Sequence, residues 1–462
     1  MEKLSLLEIK DAVSGEIIKE GPKVNFQVIS TDTRTIEEGS LFIALKGENF
    51  NGNLYVKDAD KKGAALCIID ELHLNEKELG DFKGAIIKVK DTKRALMDLA
   101  TYYRNKLNIK IIGITGSTGK TSTKDLTAAA LSHKYKVFKT KGNFNNEIGL
   151  PLMMLSIDSS YDVAVLEMGM SNFGEIHNLA SIAKPDIALI TNIGVSHLEN
   201  LKTRENILKA KMEITDFFSK ENILIVNGEN DLLSTLNDNK EYKIIKIGID
   251  FKKHELNYIA SDIINSENSI KFNLGGNNLK QKEEIELGVP GMHNVLNGEL
   301  AIGAALELGV TFDEIREGFK NIESTSMRLE VINRDDIKII NDAYNASPDS
   351  MRAAIDYMKI LDGTRKIAIL GTMKELGDNS YELHKEVAEY AKNNGIDMLL
   401  CVGEFSKAYE EGFGENIKSF EDNDKLADYY NNIRCKGDLV LVKASRSMKF
   451  ENIVKHIDNL HN

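Results

Sequence analysis

Cysteine is scarce in this chain. Its three cysteines, Cys67, Cys401 and Cys435, lie far apart, two of them inside apolar runs. That spacing argues against a disulfide framework or a zinc cluster, and buried reduced thiols in a reducing cytoplasm are the expectation. Positive charge is also in deficit, with 59 Lys and Arg against 71 Asp and Glu for a formal net charge of -12. A chain with no basic footprint is expected to bind neither nucleic acid nor an anionic membrane, so any anionic ligand must be held by local donors. No apolar run approaches the length of a membrane span, and acidic Glu2 and Glu8 interrupt the stretch that a signal peptide needs. Membrane insertion is therefore not expected. Prolines number only five, and there is no internal repeat or low-complexity linker.

What is present is a chain of 462 residues, 42% hydrophobic and 28% charged, the balance of a soluble globular protein. At roughly 150 residues per domain, its length suggests about three domains. Residues 1 to about 88 open with a helix whose apolar positions include Leu4, Leu7, Ile17 and Ile18. Strand-like runs follow at Phe26 to Ser30, Leu41 to Leu45, Ala65 to Ile69 and Ala85 to Val89. After a helix from about Thr92 to Leu107, the run Ile109 to Thr115 reads as a buried parallel strand and opens a second unit. Strands at Lys136 to Thr140, Tyr161 to Glu167, Asp186 to Ile193 and Ile223 to Asn227 alternate with amphipathic stretches, as right-handed crossovers in a parallel sheet require. An antiparallel excursion is expected at 255 to 290. From about 326 the pattern resumes, with strands at Ile337 to Asn341, Lys366 to Leu370, Met398 to Val402 and Leu439 to Val442. The predicted class is α/β in three domains: 1–88, a central P-loop domain with a mainly parallel sheet over 89–325, and a Rossmann-like domain over 326–462.

The chemistry concentrates at Thr115-Gly116-Ser117-Thr118-Gly119-Lys120-Thr121, between a strand and a helix predicted over Ser122 to Leu131. In that context, backbone N–H groups and the helix N-terminus face phosphates, Lys120 places a charge on the β and γ oxygens, and the Thr121 hydroxyl can ligate magnesium. ATP and Mg²⁺ are the expected ligands. Ile114 stands where the common pattern has glycine, so this is a variant phosphate loop. Glu167 ends a strand that would deliver it to the same sheet edge, as a magnesium ligand or as an ordinary strand-end carboxylate. His197, just after the next strand, reads as a second ligand or as a structural histidine. The amide-rich loops around Asn143, Asn145 and Asn146, and around Asn294 and Asn297, suit a base or a peptide and equally suit turns.

Taken together, the phosphate loop, Gly142-Asn143-Phe144-Asn145-Asn146-Glu147-Ile148-Gly149-Leu150-Pro151, Leu166-Glu167-Met168-Gly169 and Gly194-Val195-Ser196-His197-Leu198 resemble the Mur ligase family. The likeness continues through His293 to Asn297, Met327-Arg328 and Leu441 to Ser447. Asn341 to Pro348 and Met373 to Gly377 look like the branch that adds D-alanyl-D-alanine to UDP-N-acetylmuramoyl-tripeptide, a step of peptidoglycan synthesis. The resemblance implies that Gly116, Ser117, Thr118, Gly119, Lys120, Thr121 and Ser122 hold the phosphates. It further implies that Asn297 contacts the adenine, and that Arg328 and Asp342 reach the phosphates and ribose. Thr121 and Glu167 would hold one magnesium ion, and His197 with a carbamoylated Lys211 a second. Lys120, Lys211 and His197 would be the catalytic set. The first domain would bind the uridine nucleotide through Ser30, Thr31 and Arg34. Asn143, Asn145 and Asn146 would meet the substrate, and Tyr344, Asn345 and Ser347 the dipeptide. Asn51-Gly52-Asn53 departs from the family's usual Asp-Gly-His.

On this reading the tripeptide carboxylate attacks the γ-phosphate, the dipeptide amine displaces the acyl phosphate, and closure of the third domain completes the site of a monomeric enzyme. Two rivals share the loop: a folylpolyglutamate synthetase, and a non-catalytic nucleotide-dependent binding protein.

Overall fold

A computed structural model describes residues 1–237, 241–249, 256–277, 279–323, 325–334 and 336–458. Among these residues the strands form three principal sheets, arranged along the chain in turn. In the first, Glu16–Lys19, Ala85–Lys88, Leu66–Ile69, Leu41–Ile43 and Ile29–Ser30 lie side by side, and only the Glu16–Lys19 edge is antiparallel. That edge corrects the reading of the opening helix, which spans only Leu6–Ala12, with Leu4 before it and Ile17 and Ile18 in the strand. The helix cannot continue because Ser14 takes a left-handed φ of 49° and Gly15 lies so close to Ile87 that a Cβ would meet it at 2.3 Å. Two successive β-branched isoleucines then favour the pleated edge.

The second sheet has nine strands. Its parallel heart runs Lys243–Gly248, Ile223–Asn227, Ile187–Ile190, Lys110–Thr115, Val163–Glu167 and Val137–Lys139. The expected antiparallel excursion appears as Ile270–Gly275 and Glu283–Leu287, joined to that sheet through Tyr258–Asn265, which runs parallel to Lys243–Gly248. Helices Lys120–Leu131 and His293–Glu307 pack together on one face, meeting through buried alanines such as Ala129, Ala130, Ala301 and Ala304. Small side chains at that seam let the two backbones approach closely, which brings the start of the second helix beside the phosphate loop.

The third sheet orders Glu330–Asn333, Ile337–Asn341, Asp438–Lys443, Arg365–Gly371, Met398–Val402 and Ile417–Phe420, parallel except for its first strand. Because Asp438–Lys443 returns to lie between Ile337–Asn341 and Arg365–Gly371, the strand order reverses there. The carboxyl ends at such a reversal form a crevice, the usual place for a ligand in an open α/β sheet. Helix Thr92–Arg104 belongs to no single unit: it packs on Leu6–Ala12 and on central helices Gly149–Met154 and Glu175–Ala183. Tyr103 marks that seam, its hydroxyl donating to Ile157 O at 2.6 Å and accepting from the Glu2 amide.

Candidate active site

The strand Lys110–Thr115 ends in the phosphate loop, and register carries its neighbours to the same edge. Glu167 pairs with Ile114 on one side and Ile190 with Thr115 on the other. The loop is then held from the Ile187–Ile190 side: the Ser117 amide donates to Asn192 O at 3.0 Å, and the Thr118 amide to Asn192 Oδ1 at 2.8 Å. The Thr191 hydroxyl donates to Thr118 O. Two glycines are required here. A Cβ on Gly116 (φ 150°) would sit 1.8 Å from the Thr191 hydroxyl, and one on Gly119 (φ 81°) would sit 2.8 Å from Asn297 Oδ1. The helix begins at Lys120, two residues earlier than the sequence suggested. The amides of Lys120, Thr121 and Ser122 therefore lie in its first turn without intrahelical acceptors, concentrated donors for phosphate.

Thr121 is buried, and its hydroxyl donates to Glu167 Oε2 at 3.0 Å and accepts from Arg328 Nη2 at 3.0 Å. The other Glu167 oxygen accepts from Asn145 Nδ2 at 3.1 Å. Lys120 donates to Gly116 O at 2.7 Å, and burial lowers its pKa from the ordinary lysine value. Lys211, only 1% exposed on helix Arg204–Met212, is driven well below the lysine range, first by burial and then by the nearby Lys120 charge. His197 stands in the left-handed region (φ 65°), with Nδ1 2.6 Å from a Glu375 carboxylate oxygen. That contact, its largest influence, lowers the pKa of Glu375. A non-glycine residue held at positive φ marks a position that the surrounding loop dictates.

Facing these groups across a cavity of about 960 Å³ is the third unit. Arg328, between Met327 (φ 60°) and Leu329 (φ 46°), lies 4.4 Å from the Tyr344 ring centroid, a cation-π contact. Its Nε has no hydrogen-bond partner among the described residues. The loop helix also anchors this linker, since Asp125 accepts the Thr325 hydroxyl at 2.7 Å. Asp342, Tyr344, Asn345 and Ser347 line the same cavity, with Ser347 capping helix Pro348–Ile360. Asn297 accepts from the Thr123 hydroxyl at 3.1 Å beside the loop.

Most of the sequence-predicted residues thus meet in one cavity, but six do not line it: Gly116, Lys211, Asn143, Ser30, Thr31 and Arg34. Asn143 is exposed, while its neighbours Asn145 and Asn146 face the cavity and Asn146 Oδ1 also accepts the Ile148 and Gly149 amides. Ser30, Thr31 and Arg34 sit in the first unit. There the buried Ser30 hydroxyl donates to Asp32 O at 2.7 Å, and exposed Arg34 pairs with Asp32 at 2.6 Å. Nearby, Asn53 is buried, bonding Asp70 Oδ1 at 2.6 Å and Asn51, so the departed Asn51-Gly52-Asn53 segment is a built turn. Sequence reasoning missed Asn192, Asp125, Glu375 as the partner of His197, and Lys443, which binds Asp342. Only Glu375 and Lys443 carried a signal, as members of quoted motifs. Among the described residues no group of three His, Cys, Asp or Glu is arranged to hold a metal, and no helix is long and apolar enough to cross a membrane.

A nucleotide-type loop facing a third α/β unit, in a chain with a separate N-terminal sheet, defines a class. The models that match are those of the Mur ligase family catalytic domain at 25–104, the Mur ligase middle domain at 114–305 and the Mur ligase glutamate ligase domain at 327–446. The chain belongs to the Mur ligase family. Within it, the chain is 39% identical to the UDP-N-acetylmuramoyl-tripeptide--D-alanyl-D-alanine ligase of Bacillus subtilis (strain 168), over 93% of this chain and 92% of that one. A crystal structure of MurF from Acinetobacter baumannii superposes with a TM-score of 0.90 at 29% identity, covering 99% of both chains. MurF ligase from Thermotoga maritima in complex with ADP superposes with a TM-score of 0.81 at 29% identity, covering 94% of this chain and 97% of that one.

Proposed function

We propose that this chain joins D-alanyl-D-alanine to UDP-N-acetylmuramoyl-tripeptide, driven by ATP. The observation that carries the reading is the single cavity of about 960 Å³ lined by the phosphate loop and Glu167 on one side and by Arg328, Asp342, Tyr344 and Ser347 on the other. Small-molecule sites span roughly 300–1,000 Å³, so this one has room for a nucleotide and a reacting peptide end together. The full-length likeness to the Bacillus subtilis ligase selects the substrates and disfavours both the folate-type ligase and a non-catalytic binder.

The tripeptide carboxylate attacks the γ-phosphorus and ADP leaves. The dipeptide amine then attacks the acyl carbon, losing a proton as phosphate departs and the amide forms. Because both steps depend on positioning and charge, no side-chain nucleophile is needed. The first-turn amides and Lys120 cradle the β and γ oxygens. Arg328 leaves the Thr121 hydroxyl to meet the phosphates, and Asn297 and Asp342 face the nucleoside. Tyr344, Asn345 and Ser347 receive the dipeptide, Asn143, Asn145 and Asn146 lie toward the muramoyl peptide, and Ser30, Thr31 and Arg34 take the uridine end. Closure of the third unit over the cavity excludes water from the acyl phosphate.

The Thr121 hydroxyl and Glu167 carboxylate, 3.0 Å apart, are hard oxygen donors that fit magnesium. When bound, magnesium supplies positive charge to the phosphate oxygens. His197, and Lys211 as a carbamate, would serve a second ion. The low pKa of Lys211 favours the neutral amine that carbamoylation requires.

Phosphate release from ATP with UDP-muramoyl-tripeptide, measured with and without D-alanyl-D-alanine, tests the reading. Release that depends on the dipeptide, with pentapeptide as product, is expected. Release independent of the dipeptide, or none at all, overturns it.

A further inference from the structure

Lys443 ends the strand Asp438–Lys443 at the point of strand-order reversal and is 2% exposed. Its ammonium donates to an Asp342 carboxylate oxygen and, at 2.9 Å, to the carbonyl oxygen of Asn345. Asp342 follows the adjacent strand Ile337–Asn341, and its amide donates to Val442 O at 3.0 Å. Its remaining carboxylate oxygen accepts the Leu329 amide at 3.3 Å. One buried charge therefore ties together three segments that line the cavity: the linker just past Arg328, the Asp342 strand end and the loop that carries Tyr344 to Ser347.

Burying an ammonium is costly unless it is paired, and strand packing alone is served as well by an uncharged chain of the same length. The pairing found here is with the groups that would face the nucleotide and the acceptor. Asp342 is thereby held in place, one oxygen on Lys443 and the other on the linker, before any ribose arrives. The Asn345 carbonyl is fixed by the same ammonium, so displacement of either half displaces the other.

We propose that Lys443 is a positioning residue that couples the nucleotide-facing Asp342 to the acceptor-facing loop Tyr344 to Ser347. This coupling rests on the ligase reading given above. The tenfold change expected of such a coupling corresponds to about 1.4 kcal/mol, on the scale at which contacting groups of one network couple.

The test is Lys443→Met in the full-length enzyme, with ATP and D-alanyl-D-alanine titrated separately and ADP binding followed by calorimetry. The expected result is a KM raised about tenfold for ATP and for the dipeptide alike, with kcat at saturation changed less than about threefold. Lys443→Arg, which keeps the charge, recovers part of both. If only one KM moves, or neither, the coupling is wrong. Asp342→Asn carries the same test should Lys443→Met melt early: it must raise the dipeptide KM as well as the ATP KM, and adding Lys443→Met to it must cost little more. An Asp342→Asn enzyme with an unmoved dipeptide KM overturns the proposal. A wild-type enzyme without dipeptide-dependent turnover overturns the reaction itself, whereas normal wild-type turnover with unmoved constants in Lys443→Met overturns only the role of Lys443.

Discussion

The two walls of the cavity are built on different principles. The central wall is almost entirely local: seven consecutive residues running from a strand end into the first turn of a helix, braced by Asn192 and Thr191 from the neighbouring strand end. The third-unit wall draws on residues spread over more than a hundred positions: Asp342 pairs with Lys443, Glu375 meets His197, and Arg328 reaches the Thr121 hydroxyl and the Tyr344 ring. Contacts between the walls include Arg328 with the Thr121 hydroxyl at 3.0 Å, Glu375 with His197 and, through its carbonyl, the Glu199 amide at 3.3 Å, Glu267 with Lys338 at 2.6 Å and the Tyr357 hydroxyl at 2.9 Å, and Val195 packed on the third unit's core. One wall is fixed by sheet register, and on the proposed ligase reading the other is the part that closes over it.

If the central wall carries the charge stabilisation, breaking it has the largest effect. Lys120→Met is expected to lower kcat/KM for phosphate release by about a thousandfold, the scale seen when a preorganised donor to a transferring phosphoryl group is lost. A loss below tenfold would mean that the loop binds nucleotide without acting on it. Glu167→Gln keeps the shape but removes a hard anionic ligand, so the magnesium concentration for half-maximal activity should rise by roughly a hundredfold while thermal stability changes little. Unchanged magnesium dependence would remove Glu167 from the metal site.

The third-unit wall should respond more gently. Glu375→Ala severs the His197 contact but leaves the backbone bond to Glu199, and a loss of about tenfold in kcat/KM is expected. A fluorescent pair placed on the central and third units should report a smaller closed population on adding nucleotide. Loss of activity without that shift would assign Glu375 to chemistry rather than to docking.

The same contrast explains what the sequence made legible. The phosphate loop and Glu167 could be read because residues adjacent in sequence, or one parallel strand apart, are adjacent in space. The strand Glu16–Lys19 was hidden because Ile17 and Ile18 also fit a helical spacing, and only the left-handed Ser14 and the close approach of Gly15 to Ile87 break the pattern. Tyr258–Asn265 was missed because a register shift and a positive φ at Asp262 disrupt its alternation. Edge strands Glu330–Asn333 and Ile417–Phe420 are short and half exposed, so neither presents the apolar run that marks a central strand. Pairings such as Lys443 with Asp342 cannot be read from spacing, because a sheet crossover decides them. The Asn51-Gly52-Asn53 departure became interpretable only once Asn53 was seen buried against Asp70.

The loop that carries Glu375 is bonded, at Met373, by a histidine that no motif pointed to. His384 is fully buried, its Nε2 accepts the Met373 amide at 2.8 Å, and its Nδ1 lies 2.6 Å from Ser380 O. The ring must be neutral with the proton on Nδ1, since protonating Nε2 would turn the acceptor facing Met373 into a second donor. Burial accordingly lowers its pKa from 6.5 to about 4. With the folded-state value below the unfolded one, the unfolded chain binds the extra proton first, so stability is intact above pH 6.5 and falls as the pH drops toward 4. The shift bounds the loss at about 3 kcal/mol. Because the chain has no tryptophan, Phe405→Trp, whose native ring stacks on His384 at 4.5 Å, provides a single reporter. Urea unfolding followed at that residue should show a midpoint that falls between pH 7 and pH 4.5, and His384→Gln in the same background should flatten that dependence. A slope that persists without the histidine would place the acid sensitivity in the carboxylate pairs between the walls instead, and the loop carrying Glu375 would then owe its position to the interface rather than to its own unit.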